Sequence, residues 1–190
     1  MKIGLFFGSF NPIHTGHLII ANHILNSGKT DKVWFIVSPQ NPFKNSELLL
    51  DPYDRLVLTR AAISSDRRMK VSDVEFGLSQ PSYTINTLLH LRKKFPGDKF
   101  LLIMGSDTFK TLGQWWRSPE IISNYEILVY SRPGFKITKR LRGRIQILDA
   151  PLLEISSTEI RNLIKAGKSA RYLVPDNVLK EIKKRRFYRK

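Results

Sequence analysis

The sequence predicts an α/β fold: a doubly wound parallel sheet with helices on both faces and a small helical segment at its C-terminal end. Three observations predict it. Short apolar runs alternate with helical stretches along most of the chain, the pattern of β-α-β units. The runs are apolar throughout, Val33-Trp34-Phe35-Ile36-Val37 being the plainest, as strands are when helices cover both faces of a sheet. A length of 190 residues, with 42% hydrophobic and 25% charged content, suits one well-buried α/β domain and is short for two. One domain over 1–190 is expected, its helical C-terminal part starting near Ser156.

The first strand is Lys2-Ile3-Gly4-Leu5-Phe6-Phe7 and the first helix Leu18-Ile19-Ile20-Ala21-Asn22-His23-Ile24-Leu25. Between them lies the turn Gly8-Ser9-Phe10-Asn11-Pro12-Ile13-His14-Thr15-Gly16-His17. In a parallel sheet such a turn sits at the carboxyl end of the strands, where ligands bind. Gly8 has no Cβ, so a ligand can approach the backbone closely. Pro12 fixes the loop's direction. Thr15 is expected to cap the helix and leave the amides of Gly16 and His17 pointing outward as an anion site. His14 and His17, three residues apart, can donate to phosphate oxygens.

Asn26-Ser27-Gly28 ends the helix. Val33–Val37 is the second strand, followed by the stiff loop Ser38-Pro39-Gln40-Asn41-Pro42-Phe43-Lys44-Asn45, whose cation Lys44 can meet a phosphate. Asp51 caps the next helix with Pro52 at its first position, and the helix runs through Ile63. Arg55 in its first turn opposes the helix dipole, so an acidic partner, Asp51 or Asp54, is expected. Met69-Lys70-Val71-Ser72 is a short strand and Asp73 to Gln80 a connecting loop.

Ser82 is expected to cap a helix whose first residues, Tyr83 and Thr84, present an aromatic ring and a hydroxyl. Lys99-Phe100-Leu101-Leu102-Ile103-Met104 is the fourth strand. Gly105 at its end allows a close approach, and Asp107 either accepts from a ribose hydroxyl or caps a short helix from Thr108. Leu112-Gly113-Gln114-Trp115-Trp116-Arg117 is a loop in which one indole can stack on a flat ring. Glu126-Ile127-Leu128-Val129-Tyr130 is the fifth strand, with Arg132 at its carboxyl end, and Ile145-Gln146-Ile147-Leu148 the last, after an exposed basic stretch from Lys136 to Arg144. Ser156 and Glu159 form a capping box. That box leaves Ser157, Thr158 and Arg161 unexplained, and hydroxyls at a helix N-terminus with an arginine one turn on make a triphosphate cradle.

The chain has no cysteine, which excludes disulfides, thiolate zinc sites and a cysteine nucleophile. The first strand follows Met1 without a signal-peptide pattern, and no apolar run reaches the roughly 20 residues of a membrane helix, so a cytoplasmic location without a membrane partner is expected. The formal net charge of +16 points to anionic ligands. Part of it lies in the tail Lys180 to Lys190, expected to be a solvated helix end and basic extension; an RNA-binding tail is the alternative of a different class, and nucleic acid is not the expected partner. A homo-oligomer stays open.

Two motifs carry a resemblance. Gly8-x-Phe10-x-Pro12-x-His14-x-Gly16-His17 resembles the nucleotidyltransferase motif ending in His-x-Gly-His, and Ile155-Ser156-Ser157-Thr158-Glu159-Ile160-Arg161 is similar to that superfamily's second motif, Ile-Ser-Ser-Thr-x-x-Arg. The superfamily has a Rossmann-like fold and binds ATP at the first turn. Pro81-Ser82-Tyr83-Thr84 and Trp115-Trp116 resemble the segments that hold the nicotinate ring in nicotinate-mononucleotide adenylyltransferases. The loop Asn41-Pro42-Phe43-Lys44 keeps the proline and lysine of that family's Pro-Pro-His-Lys and has Phe43 in place of the histidine.

The resemblance implies adenylyl transfer from ATP to nicotinate mononucleotide, giving nicotinate adenine dinucleotide and pyrophosphate in NAD biosynthesis. It implies ATP contacts at Gly8, Ser9, Phe10, His14, His17, Gly105, Asp107, Ile155, Ser156, Ser157, Thr158 and Arg161, of which His14, His17 and Arg161 are catalytic. It implies acceptor contacts at Lys44, Tyr83, Thr84, Trp115, Trp116 and Arg132. Thr84 lies against the pyridine carboxylate, Trp115 stacks on the ring and Trp116 offers backbone contacts. Mg²⁺ is expected to ride on the ATP phosphates without protein metal ligands. Nicotinamide mononucleotide and phosphopantetheine are the alternative acceptors.

Overall fold

In the computed structural model, which describes residues 1–40, 49–135, 137 and 142–189, six parallel strands form one sheet in the order β3-β2-β1-β4-β5-β6. The strands are β1 (Lys2–Gly8), β2 (Lys32–Val37), β3 (Met69–Ser72), β4 (Lys99–Gly105), β5 (Glu126–Tyr130) and β6 (Ile145–Leu148). The helices are α1 (Thr15–Asn26), α2 (Pro52–Ile63), α3 (Thr84–Lys94), α4 (Ser106–Thr111), α5 (Ser118–Asn124), α6 (Ser157–Lys165) and α7 (Asp176–Arg185). This is the Rossmann-like order, and it reverses direction between β1 and β4, the switch point where ligands bind. Among the described residues, no helix is long and apolar enough to cross a membrane.

The inner strands β1, β2, β4 and β5 are apolar on both sides because each side has a helical layer to meet, whereas the edge strands β3 and β6 are only partly buried. Phe6, Phe35, Ile103, Leu128 and Tyr130 pack with α1, α2, α6 and α7. Leu5, Ile36, Leu102, Ile127 and Val129 pack with α3, α4 and α5. Register follows the alternation: Phe6 lies beside Phe35 on β2 and beside Ile103 on β4. Burial of that order removes most of the apolar surface of each strand from water, at roughly 25 cal/mol per Å².

Several local expectations change. Thr15 is the first residue of α1 rather than its cap. The cap position is His14, whose N–H donates to His17 Nδ1 at 3.3 Å, while the His17 N–H closes a turn on the His14 carbonyl at 3.0 Å. The hydroxyl and N–H of Thr15 are instead spent on the carbonyls of Tyr172 and Leu173, fastening α1 to the segment before α7. Tyr83, not Ser82, occupies the cap position of α3; the Ser82 hydroxyl pairs with Gln80 Oε1. α4 begins one residue before Asp107, with Gly105 at the cap, so Asp107 is not the cap of a helix from Thr108. The connection from Asp73 to Gln80 contains a 3-10 turn, Val74–Gly77, that buries Glu75. Asp51 and Pro52 start α2 as expected, the Asp51 carboxylate accepting from Tyr53 N–H at 2.8 Å.

The tail departs most from its sequence reading. Arg185 ion-pairs with Asp54 on α2 at 3.0 Å and with Glu181 one turn back. Phe187 and Tyr188 pack against the core on the α1 and α2 face. The apolar residues that do this, Val178, Ile182, Phe187 and Tyr188, are interleaved with the basic ones, so charge hides them in a reading by composition. Arg142, Gly143 and Arg144 are exposed as expected; Lys136 and residues 138–141 fall outside the described residues.

Candidate active site

A cleft of about 840 Å³ opens at the carboxyl ends of β1, β4 and β5, within the size range of small-molecule sites. Its walls come from the turn after β1, Ser38 after β2, Leu49, the start of α3, the β4–α5 connection, Tyr130 and Arg132 at the end of β5, and the start of α6. Gly8, Ser9, Phe10, His14, His17, Gly105, Asp107, Ser156, Ser157, Thr158, Arg161, Tyr83, Thr84, Trp115, Trp116 and Arg132 all line it. Ile155 lines a smaller adjoining cleft with His14, Gly16, His17 and Arg132. Lys44 and Phe43 lie outside the described residues.

The turn after β1 is packed from within. Phe10 folds under it, 2% exposed, with its ring near those of Phe6, Phe35 and His17. A Cβ on Gly8 would lie 2.9 Å from the Phe10 ring, so packing by Phe10 also requires glycine here. Phe10 itself adopts φ 44°, a left-handed backbone that costs a bulky residue energy and is held by this burial. The His14 and His17 rings lie 3.7 Å apart between centroids, on the cleft's floor. Burial, and then the positive charge of Arg132, push His14 down to about 4. It is therefore a neutral imidazole at neutral pH. A polyphosphate beside it would favour the protonated form.

Arg55 holds the turn from beneath. It is fully buried, and among the described residues no carboxylate ion-pairs with it. Its guanidinium donates to four carbonyls: Nη1 to Ser9 at 2.6 Å and Ser38 at 2.8 Å, Nη2 to Pro39 at 2.9 Å, and Nε to Leu50 at 2.9 Å. The expected acidic partner is thus replaced by the chain ends of β1 and β2. Burial lowers its pKa, and Tyr188 and Asp51 act to raise it. The sequence signal was a cation in the wrong turn of a helix, and its cause is a donor fan aimed at loop carbonyls.

The second motif is tied to the first. Ser156 caps α6 by accepting from the Glu159 N–H at 3.2 Å. The Ser157 hydroxyl donates to the Pro12 carbonyl at 2.9 Å. Arg161 donates through Nη1 to the Asn11 carbonyl at 2.8 Å and through Nη2 to Thr158 Oγ1 at 3.2 Å. Asn11, 3% exposed, also receives the Leu50 N–H at 3.2 Å and the Tyr188 hydroxyl at 2.9 Å on its Oδ1. Sequence reasoning passed over Asn11 and Tyr188; the only cue was an amide inside the turn, and amides are common in turns.

On the opposite wall, Tyr83 and Trp116 approach each other at 6.0 Å between ring centroids, with Trp116 60% exposed. Trp115 is half-buried and packs against the α3, α4 and α5 face. Both indoles face the cleft. Behind this wall the buried Glu75 accepts from the Thr87 hydroxyl at 2.8 Å, joining the 3-10 turn to α3. Burial pushes the Glu75 carboxyl up. Across the floor, Asp107 and Arg132 approach to 3.7 Å, and a Cβ on Gly105 would strike Asp107 and Arg132. Among the described residues, no group of three His, Asp or Glu side chains could hold a metal ion.

Comparison with known proteins agrees with this architecture. The family model described as cytidylyltransferase-like matches residues 5–163. A probable nicotinate-nucleotide adenylyltransferase of Cytophaga hutchinsonii is 46% identical over 189 residues, covering 99% of this chain and 98% of the relative. One from Flavobacterium psychrophilum is 47% identical over 193 residues, covering 100% of both. Among solved structures, the Plasmodium falciparum nicotinic acid mononucleotide adenylyltransferase complexed with NaAD superposes with a TM-score of 0.84 at 20% identity, covering 98% of this chain and 97% of that one. At that identity the superposition speaks for the fold.

Proposed function

The chain belongs to the nicotinate-nucleotide adenylyltransferase family of cytidylyltransferase-like proteins, and on that premise we propose how its residues divide the work of adenylyl transfer. The reaction takes ATP and nicotinate mononucleotide to nicotinate adenine dinucleotide and pyrophosphate. An oxygen of the mononucleotide phosphate forms a bond to the α-phosphorus of ATP. The bond from that phosphorus to the bridging oxygen of the β-phosphate breaks, and pyrophosphate leaves with the electron pair. The attacking phosphate is already an anion, so no strong general base is required. Catalysis is then positioning and charge stabilisation.

One observation carries the division: a single cleft joins the His14, His17 and Arg161 floor to the Tyr83, Thr84, Trp115 and Trp116 wall. On the floor, His14 and His17 donate to the phosphates around the reacting phosphorus. Arg161, with Thr158 and the start of α6, holds the departing β- and γ-phosphates. Asp107, at the end of β4, accepts from a ribose hydroxyl of the adenosine. Mg²⁺ bound to ATP would offset phosphate charge and would keep mainly water and phosphate ligands, as hard cations of this size do. The donor set fits that arrangement, since Asp107 is the one carboxylate among the described residues that line the cleft.

On the wall, the flat pyridine ring lies between aromatic side chains, and Thr84 donates to its carboxylate. Arg132 contributes positive charge toward the acceptor phosphate. Pyrophosphate release with ATP and Mg²⁺ tests the reading, comparing nicotinate mononucleotide, nicotinamide mononucleotide and phosphopantetheine at equal concentration. A strong preference for nicotinate mononucleotide is expected. Preference for either other acceptor would overturn the assignment of the ring wall.

A further inference from the structure

The tail residue Tyr188 does not line the cleft and has no part in the chemistry above, yet its hydroxyl reaches the first motif. The chain leaves α7 through Arg186 at φ 56° and reaches Tyr188 at φ 63°. Two left-handed residues that are not glycine turn the backbone back under the sheet's carboxyl end, a geometry that persists only when anchored. The anchor is the phenol. Its hydroxyl donates to Asn11 Oδ1 at 2.9 Å, while the Asn11 carbonyl accepts from Arg161 at 2.8 Å. Arg161 and Arg55 both lie close enough to act electrostatically on the phenol.

We propose that Tyr188 is a positioning residue for the ATP side of the cleft: it fixes Asn11, and Asn11 fixes the Arg161 guanidinium. The proposal rests on the phosphate-binding reading of Arg161. Among the described residues Arg161 donates to two partners, and one of them is the main-chain carbonyl of Asn11. The aim of that carbonyl follows the placement of Asn11, and the Tyr188 hydroxyl and the Leu50 N–H are two donors that hold the Asn11 side chain. The phenol acts through neighbours and touches no substrate. Packing of the Phe187 and Tyr188 rings on the core explains why the tail is ordered. It does not explain why the hydroxyl meets this amide.

The test is Tyr188→Phe, which keeps the ring and removes the donor. Calorimetric binding of Mg-ATP alone should weaken about fivefold to tenfold, the loss of roughly one hydrogen bond's worth of positioning. The KM for nicotinate mononucleotide should stay within about twofold, and the melting temperature should fall by no more than a few degrees. Adding Asn11→Ala to Tyr188→Phe should cost little beyond Asn11→Ala alone, as coupled residues on one path do. Replacing the exposed Lys183 and Lys184 by Gln should leave ATP binding unchanged. Unchanged ATP affinity in Tyr188→Phe, equal weakening toward both substrates, an additive double variant, or a Tyr188→Phe chain that no longer folds would each overturn the positioning role. So would a loss of ATP binding in the lysine variant, which would assign the effect to tail charge. Wild-type protein that binds ATP but ignores nicotinate mononucleotide would fault the acceptor reading alone and leave this test intact.

Discussion

The two sides of the cleft are held in different ways. On the phosphate side, polar groups from distant parts of the chain converge: Arg55 on four carbonyls, Ser157 on Pro12, Arg161 and Tyr188 on the Asn11 turn. On the ring side, Tyr83, Thr84, Trp115 and Trp116 sit at helix and loop ends, and the Tyr83 and Trp116 rings meet at the edge of solvent. The difference follows from the ligands. A phosphate anion is bound by a fixed fan of donors, whose value depends on being aimed in advance. A flat ring is bound by area, which a mobile aromatic can cover after the ligand arrives. On the proposed division of the site, the phosphate side governs rate and the ring side governs choice of acceptor.

The largest expected effect breaks the phosphate side directly. Arg161→Ala should lower kcat for pyrophosphate release by ~100-fold or more, in line with removing one charge-stabilising donor. Arg161→Lys should recover little of this, because an ammonium cannot serve the carbonyl and the hydroxyl in the same planar fork. Thermal unfolding of both variants should stay near wild type. A kcat loss below about tenfold in Arg161→Ala would remove the rate-setting role from this side.

Removing the support beneath it should act on stability first. Arg55→Met leaves four carbonyls without their donor, and should cost about 3 kcal/mol, or roughly 10 °C in melting temperature for a chain of this size. A variant with wild-type melting would mean that water replaces the guanidinium at no cost.

The same side should be sensitive to acid. His14 takes its proton near pH 4 in the folded chain and near 6.5 in the unfolded one. Between those values the unfolded chain binds more protons, so stability falls as pH drops. The stability that the neutral, buried His14 contributes is present above about pH 6.5 and is lost toward pH 4, up to about 3 kcal/mol. Chemical denaturation at pH 7 and pH 4.5 should show the loss in wild type and a smaller one in His14→Gln. Equal losses in both would place the acid sensitivity elsewhere.

The smallest effect should come from the ring side. Trp115→Ala should raise the KM for nicotinate mononucleotide about tenfold, the worth of one stacking contact, with the KM for ATP unchanged, and should also lower the melting temperature because Trp115 packs against the core. Trp116→Ala, at the indole whose expected contacts are through its backbone, should change that KM by about twofold or less. A rise of about tenfold in Trp116→Ala with none in Trp115→Ala would move the stacking role to Trp116.

Much of the fold was legible because strand burial on two faces writes itself as uninterrupted apolar runs, as in β2 and β4. The site was legible where the chemistry needs particular residue types in local order, as at His14 to His17 and Ser156 to Arg161. What escaped notice was long-range. Arg55 looked like a misplaced cation in need of an acidic partner because carbonyl acceptors belong to every residue and leave no trace in sequence. Asn11 and Tyr188 lie 177 positions apart, and nothing local to either announces the other. Caps shifted by one residue, from Thr15 to His14 and from Ser82 to Tyr83, because the expected side chains bond elsewhere, Thr15 to distant Tyr172 and Ser82 to neighbouring Gln80.

The account is tested most directly by measuring kcat/KM for nicotinate mononucleotide against nicotinamide mononucleotide in wild type, Arg161→Ala and Thr84→Ala. Arg161→Ala should lose activity on both acceptors by the same factor and keep the wild-type ratio. Thr84→Ala should keep most of its activity while the ratio collapses toward one. A ratio altered by Arg161→Ala, or a ratio left intact by Thr84→Ala, would contradict the division of rate and choice between the two walls.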